Sequence, residues 1–177
     1  MASRPSRVVP AAVGLVMLAG TAVGCASPAA RPAQPVPFPT MTNPVRRSDA
    51  VRHTMAAAVA ASALALTGMK YQLGGDRPAT GFDCSGLVRY VFLGERVELP
   101  RTVAEQSEIG QRVGVDDISA GDLLFFTTTA PGPTHVGLAV DGRAFVHAPG
   151  SGRVVRVESL DTAYWSRRLI DVRRILD

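Results

Sequence analysis

Gly81-Phe82-Asp83-Cys84-Ser85-Gly86-Leu87-Val88 stands where a glycine-containing loop gives way to a helical pattern that runs to about Leu93, with Leu87, Val88, Val91 and Phe92 on one face. A cysteine at such a helix start meets backbone N–H groups with no intrahelical acceptor and the positive end of the helix dipole, which favour thiolate over thiol. The same N–H groups can hold the oxyanion that forms when sulfur attacks an amide carbonyl. Upstream, Ser48 or Asp49 is placed to cap an Ala- and Leu-rich helix running to about Leu66, with Gly68 as its stop. Downstream, Thr102 and Glu105 form a capping box for a short third helix ending at Gly110. The period then changes. Residues 122–127, 135–140, 143–148, 154–158 and 169–175 are short runs rich in Val, Leu, Ile and Phe, bounded by Gly, Pro and Asp. Helices first and strands later predict an α+β domain, with the helices packed on an antiparallel sheet.

A sulfur nucleophile needs a base, and the chain has three histidines. His53 falls early in the first helix among polar and small residues, as a solvated side chain would. His135 opens one predicted strand and His147 closes the next. For His147 to orient His135, both must leave the same face of the sheet. A two-residue turn at Asp141-Gly142 would put them on opposite faces. A three-residue loop, Val140-Asp141-Gly142, with Gly142 in the left-handed region as a bulge, pairs Ala139 with Arg143 and His135 with His147. Singly, such residues are ordinary core or surface groups. Together, a helix-start cysteine followed by two strand histidines has the chain order of papain-like Cys-His-polar sites. A zinc site from Cys84, His135 and His147 would lack both the close paired spacing of structural sites and a fourth ligand.

Over 177 residues, 46% hydrophobic and 19% charged, the composition suits one packed domain, and two cysteines cannot make a disulfide scaffold. The net charge of +4 is not spread over the fold. Five arginines precede Asp49 and every acidic residue lies at or after it, leaving fourteen basic against fifteen acidic groups over 49–177. That balance removes the electrostatic case for a nucleic-acid partner. Residues 1–24 read as an export signal, with Arg4 and Arg7 before an apolar stretch of small residues. Ala22-Val23-Gly24-Cys25 resembles a bacterial lipobox, which implies cleavage before Cys25 and a lipid on its sulfur, anchoring the chain to a membrane without a spanning helix. Residues 25–47 hold Pro28, Pro32, Pro35, Pro37, Pro39 and Pro44 and read as an extended stalk, leaving 48–177 as the catalytic domain.

Several further segments complete a resemblance: Tyr71-x-x-Gly74-Gly75, Leu99-Pro100-Arg101, Gly121-Asp122-Leu123-Leu124-Phe125-Phe126, His135-Val136-Gly137-Leu138 and His147-Ala148-Pro149. With the Cys84 segment they resemble the NlpC/P60 cysteine peptidases, a papain-like fold, across nearly all of 49–177. The resemblance implies hydrolysis of peptidoglycan stem peptides, commonly at the bond from D-γ-glutamyl to a diamino acid. It implies Cys84 as nucleophile, His135 as general base and acid, and His147 as the orienting residue. By motif position Tyr71 lies near the thiol, while Asp83 and Ser85 meet the free amine of the stem peptide in some members. Leu73 stands where an aromatic residue is common. No metal or organic cofactor is implied. The expected partners are stem peptides and, through Cys25, a membrane. The expected location is exported, facing the cell wall or periplasm, as a monomer with no separate SH3-like wall-binding domain. A Cys-His amidase or acyltransferase with a deep apolar pocket, and a non-catalytic wall-binding lipoprotein, are the alternatives. Tyr164 and Trp165 are expected to cover the sheet edge, with a sugar-stacking patch as the other use of such a pair.

Overall fold

The computed structural model describes residues 44–176; the export signal at 1–24, the lipidation at Cys25 and the linker up to residue 43 lie outside the described residues. In chain order the elements are α1 (Pro44–Ala65), β1 (Asp76–Arg77), β2 (Gly81–Phe82), α2 (Cys84–Gly94), α3 (Val103–Ser107), β3 (Gln111–Arg112), β4 (Leu123–Phe126), β5 (His135–Ala139), β6 (Ala144–His147), β7 (Arg156–Ser159), α4 (Ala163–Ser166) and β8 (Leu169–Arg174). Apart from the small β1–β2 ribbon, the strands form one six-stranded sheet in the order β3-β8-β4-β5-β6-β7, antiparallel at every junction. The α+β expectation holds.

Helix α1 begins at Pro44, upstream of the expected cap at Ser48 or Asp49. Proline suits a first helical turn because its fixed φ is helical and no acceptor is needed for a missing N–H. Asp49 pairs with Arg52 at 3.0 Å along the helix instead of capping it. The Thr102–Glu105 capping box forms as expected, with both reciprocal bonds made, although α3 stops at Ser107 rather than at Gly110.

Side-chain alternation divides the sheet between two cores. Leu123, Phe125, Val136, Leu138 and Val146 pack against Leu87, Val88, Val91 and Phe92 of α2 and Val59 and Ala63 of α1. Leu124, Phe126, Ala139 and Phe145 point the other way, onto Ile118, Leu160, Trp165 and Val172. Burial on both faces is why Leu123-Leu124-Phe125-Phe126 is continuously apolar rather than alternating. Gly137 is required by contact: a Cβ there would press into the Phe145 ring on the second face.

Candidate active site

The start of α2 is fixed by a single carboxylate. Asp83 is its N-cap, and Oδ1 accepts from Gly86 N at 2.7 Å, satisfying one of the otherwise unpaired first-turn donors. Oδ2 accepts from Gly74 N at 2.9 Å, which ties down the Gly74-Gly75 loop. Arg101 closes over both oxygens, Nη1 to Oδ1 at 3.0 Å and Nη2 to Oδ2 at 2.6 Å, and also donates to Ser85 Oγ at 3.0 Å. Burial alone would raise the Asp83 carboxyl, but the Arg101 hydrogen bond, the Gly86 and Gly74 N–H groups and the guanidinium charge together hold it below the usual carboxylate range. The Arg101 loop is held in turn by Gln106, fully buried, whose Nε2 donates to Ser85 O at 3.1 Å and Pro100 O at 2.8 Å. Gly86 must be glycine because a Cβ would run into the Gly75 carbonyl.

Cys84, the first residue of α2, is half-buried and packs against the apolar core under that helix. Its sulfur lies within hydrogen-bonding reach of the Val136 N–H, next in sequence to His135, and of the Ser85 and Cys84 N–H groups. Burial is the dominant influence on the thiol and pushes it up, reinforced by the Asp83 charge; the three N–H groups oppose this and are outweighed. The expected preference for a resting thiolate is therefore corrected: the helix start supplies favourable donors, but desolvation wins. Tyr71 adjoins the same group, its hydroxyl raised first by burial and then by Cys84 and Asp83.

The two strand histidines meet. His135 Nε2 and His147 Nδ1 are 2.7 Å apart, with ring planes at 86°. The expected face was right and the expected register was not. Leu138 pairs with Val146 and Ala139 with Phe145, two residues off the Ala139–Arg143 pairing, so extending the ladder sets His147 opposite Gly137 and diagonal to His135. The reversal is closed by Asp141, whose Oδ1 accepts from Arg143 N and Ala144 N, both at 2.7 Å, and Gly142 has no left-handed φ. A slip of two preserves the side-chain face, which is why the rings still converge.

The histidine pair is dry. His135 is 6% exposed and His147 fully buried. Burial lowers His135 to about 4. Burial, then His135, Arg156 and Arg153, lower His147 to about 2. Trp165 roofs the pair, stacked on His135 at 5.8 Å between centroids and edge-on to His147 at 5.0 Å. Trp165 thus covers the histidines on the second face rather than the sheet edge, while Tyr164 beside it is half exposed under the Arg168 guanidinium. His53 is exposed on α1, apart from these groups. Among the described residues no three His, Cys, Asp or Glu side chains are placed to hold a metal ion.

The structure therefore brings Tyr71, Asp83, Cys84 and Ser85 together at the start of α2, and His135 with His147 on the adjoining strands. Sequence reasoning gave no role to Arg101 or Gln106 and did not connect Trp165 with the histidines. Arg101 stood in plain view in Leu99-Pro100-Arg101; the other two act across 21 and 30 residues of separation, from Gln106 to Ser85 and from Trp165 to His135, with no local signal.

A family model described as NlpC/P60 matches residues 68–174, more than half of the 177. Gamma-DL-glutamyl hydrolase of Bacillus subtilis is 39% identical over 113 residues, covering 62% of this chain and 27% of the relative. Murein DD-endopeptidase MepH of Escherichia coli is 35% identical over 113 residues, covering 62% and 42%. A crystal structure from Staphylococcus aureus, described as similar to a lipoprotein of the NLP/P60 family, superposes with a TM-score of 0.62 at 33% identity, covering 70% of this chain and 42% of the other. The match thus spans well under two thirds of the length of each.

Proposed function

The chain belongs to the NlpC/P60 family, and from that premise we propose that it is a cysteine endopeptidase that hydrolyses peptidoglycan stem peptides through Cys84, His135 and His147. The observation that carries this is the 2.7 Å contact between two buried imidazoles on the strands beside the α2 start, where the sulfur sits against the Val136 N–H. Burial favours a neutral thiol and a neutral imidazole at rest. As Cys84 Sγ attacks the amide carbon, its proton passes to His135. The Cys84 and Ser85 N–H groups, turned toward the sulfur, stabilise the oxyanion, because Gly86 N is committed to the Asp83 side chain and Leu87 N to the Asp83 carbonyl. His135 then protonates the leaving amine, and with a water as nucleophile it serves as base to hydrolyse the thioester. His147 accepts from His135 Nε2–H and, with its imidazole lowered to about 2, fixes the ring without taking the proton.

The names of the relatives point to both DL and DD peptide bonds. We place the scissile bond between D-γ-glutamyl and the diamino acid, with Tyr71, Asp83 and Ser85 facing the amino end of the stem. Arg101 already balances Asp83, so a substrate amine received there is held by hydrogen bonds rather than by an uncompensated negative charge. An open cleft of about 510 Å³ along the Gly74-Gly75 loop, with Lys70, Gln72, Asp76 and Thr80 in its wall, favours a peptide over the lipid substrate of an acyltransferase. Exported placement with a lipid on Cys25 belongs to the same proposal. No helix of the described residues is long and apolar enough to cross a membrane.

The test is digestion of purified peptidoglycan with product masses compared for wild type and Cys84→Ala. Products from wild type alone, ending at D-γ-glutamate, are expected. Products unchanged by the substitution would remove the thiol from the mechanism, and none from either protein would leave a wall-binding role.

A further inference from the structure

His147 and Arg156 are directly opposed across β6 and β7, and Phe145 opposes Glu158 in the same register, so all four side chains share one face of the sheet. That is the face Trp165 covers. Beside the tryptophan lies a cleft of about 360 Å³ whose lining includes Pro149, Arg153, Arg156, Glu158, Tyr164 and Trp165. Two guanidinium groups meet one carboxylate there. Arg156 Nη2 is paired with Glu158 Oε1, yet its Nε–H is buried with no acceptor, and Arg153 is exposed. The cleft adjoins the buried histidine pair across Trp165, which is a wall of one and the roof of the other, and both arginines act electrostatically on the His147 imidazole.

Resting on the hydrolase reading above, we propose that this cleft is a second substrate subsite, which takes a carboxylate of the stem peptide between Arg156 and Arg153. A guanidinium presents planar, forked donors that match a carboxylate, and a buried unpaired Nε–H is a donor whose desolvation is already met before a ligand arrives. Glu158 leaves one positive charge in excess, which suits a monoanion and disfavours a dianionic phosphate. Tyr164, Trp165 and Pro149 offer apolar surface for the aliphatic part of the residue that bears the carboxylate, and the volume suits one or two amino-acid residues.

The test uses the full chain carrying Cys84→Ala and calorimetric titration with two probes, a soluble stem tetrapeptide with free carboxylates and the same peptide fully amidated. Wild-type cleavage of both is followed in parallel. The free peptide should bind at least about tenfold more tightly than the amidated one, and Arg156→Gln should cut that ratio to about twofold, with Arg156→Lys restoring part of it. Arg153→Gln should reduce the ratio less, and melting curves check that each variant folds. Equal affinity for the two probes, or a ratio indifferent to Arg156→Gln in a folded variant, overturns the subsite. If the ratio depends on Arg156 but wild type cuts neither peptide, the subsite stands and the hydrolase assignment falls; cleavage without that dependence gives the reverse.

Discussion

Acidification separates a buried neutral base from an ordinary histidine. His135 is lowered to about 4 by burial alone, under Trp165 and against His147. At pH 5 a base with that value is about 90% neutral, whereas one at the ordinary 6.5 is about 3% neutral, a difference of roughly thirtyfold in active enzyme. The assay is kcat/KM from pH 4 to 9 on a soluble stem peptide by chromatography. Activity at pH 5 should remain within about twofold of its plateau, and the alkaline limb should lie above the ordinary thiol range because burial raises Cys84. Stability moves the opposite way. Both imidazoles titrate below their unfolded value, so between the two the unfolded chain binds more protons than the folded one. Their contribution is complete above about pH 6.5 and declines as pH falls toward about 4 for His135 and lower for His147. At pH 5 the loss from His135 is about 2 kcal/mol relative to neutral pH. An acid limb centred near 6.5, with activity at pH 5 down by more than tenfold in protein that is still folded, would refute the buried-base mechanism.

Asp83→Ala should be the costliest polar substitution, because it deletes the α2 cap and leaves Arg101 without its carboxylate; about 2–4 kcal/mol is expected in chemical denaturation, with Asp83→Asn losing less. Trp165→Leu should move the acid limb of kcat/KM toward 6.5 by admitting water to the histidine pair, a shift that a general loss of stability would not produce. Gly86→Ala should abolish activity and lower the melting temperature, since the added methyl must displace the Gly75 backbone.

Local chemistry is readable in a linear sequence because it is written within a few residues. The cysteine at the start of α2, the Thr102–Glu105 box and the strand runs all follow from neighbours three or four positions away, and all formed. The beginning of α1 misled because Ser48 and Asp49 are good caps wherever they occur, and Pro44 is equally compatible with a first turn. The Asp141 reversal misled because Asp-Gly serves several loops, and the one chosen uses the aspartate side chain as an acceptor rather than a left-handed glycine.

Residue order alone determined the family, the α+β class, the cysteine at the start of α2 and the shared face of two imidazoles, since a parity of two survives a register slip of two. Tertiary structure alone decided that Arg101 neutralises Asp83, that Trp165 roofs the histidines and that Arg156 lies beside them. It also decided the protonation of the site. Desolvation depends on everything within several ångströms of a group, gathered from distant parts of the chain, and here it outweighs the helix-start donors that the sequence made visible.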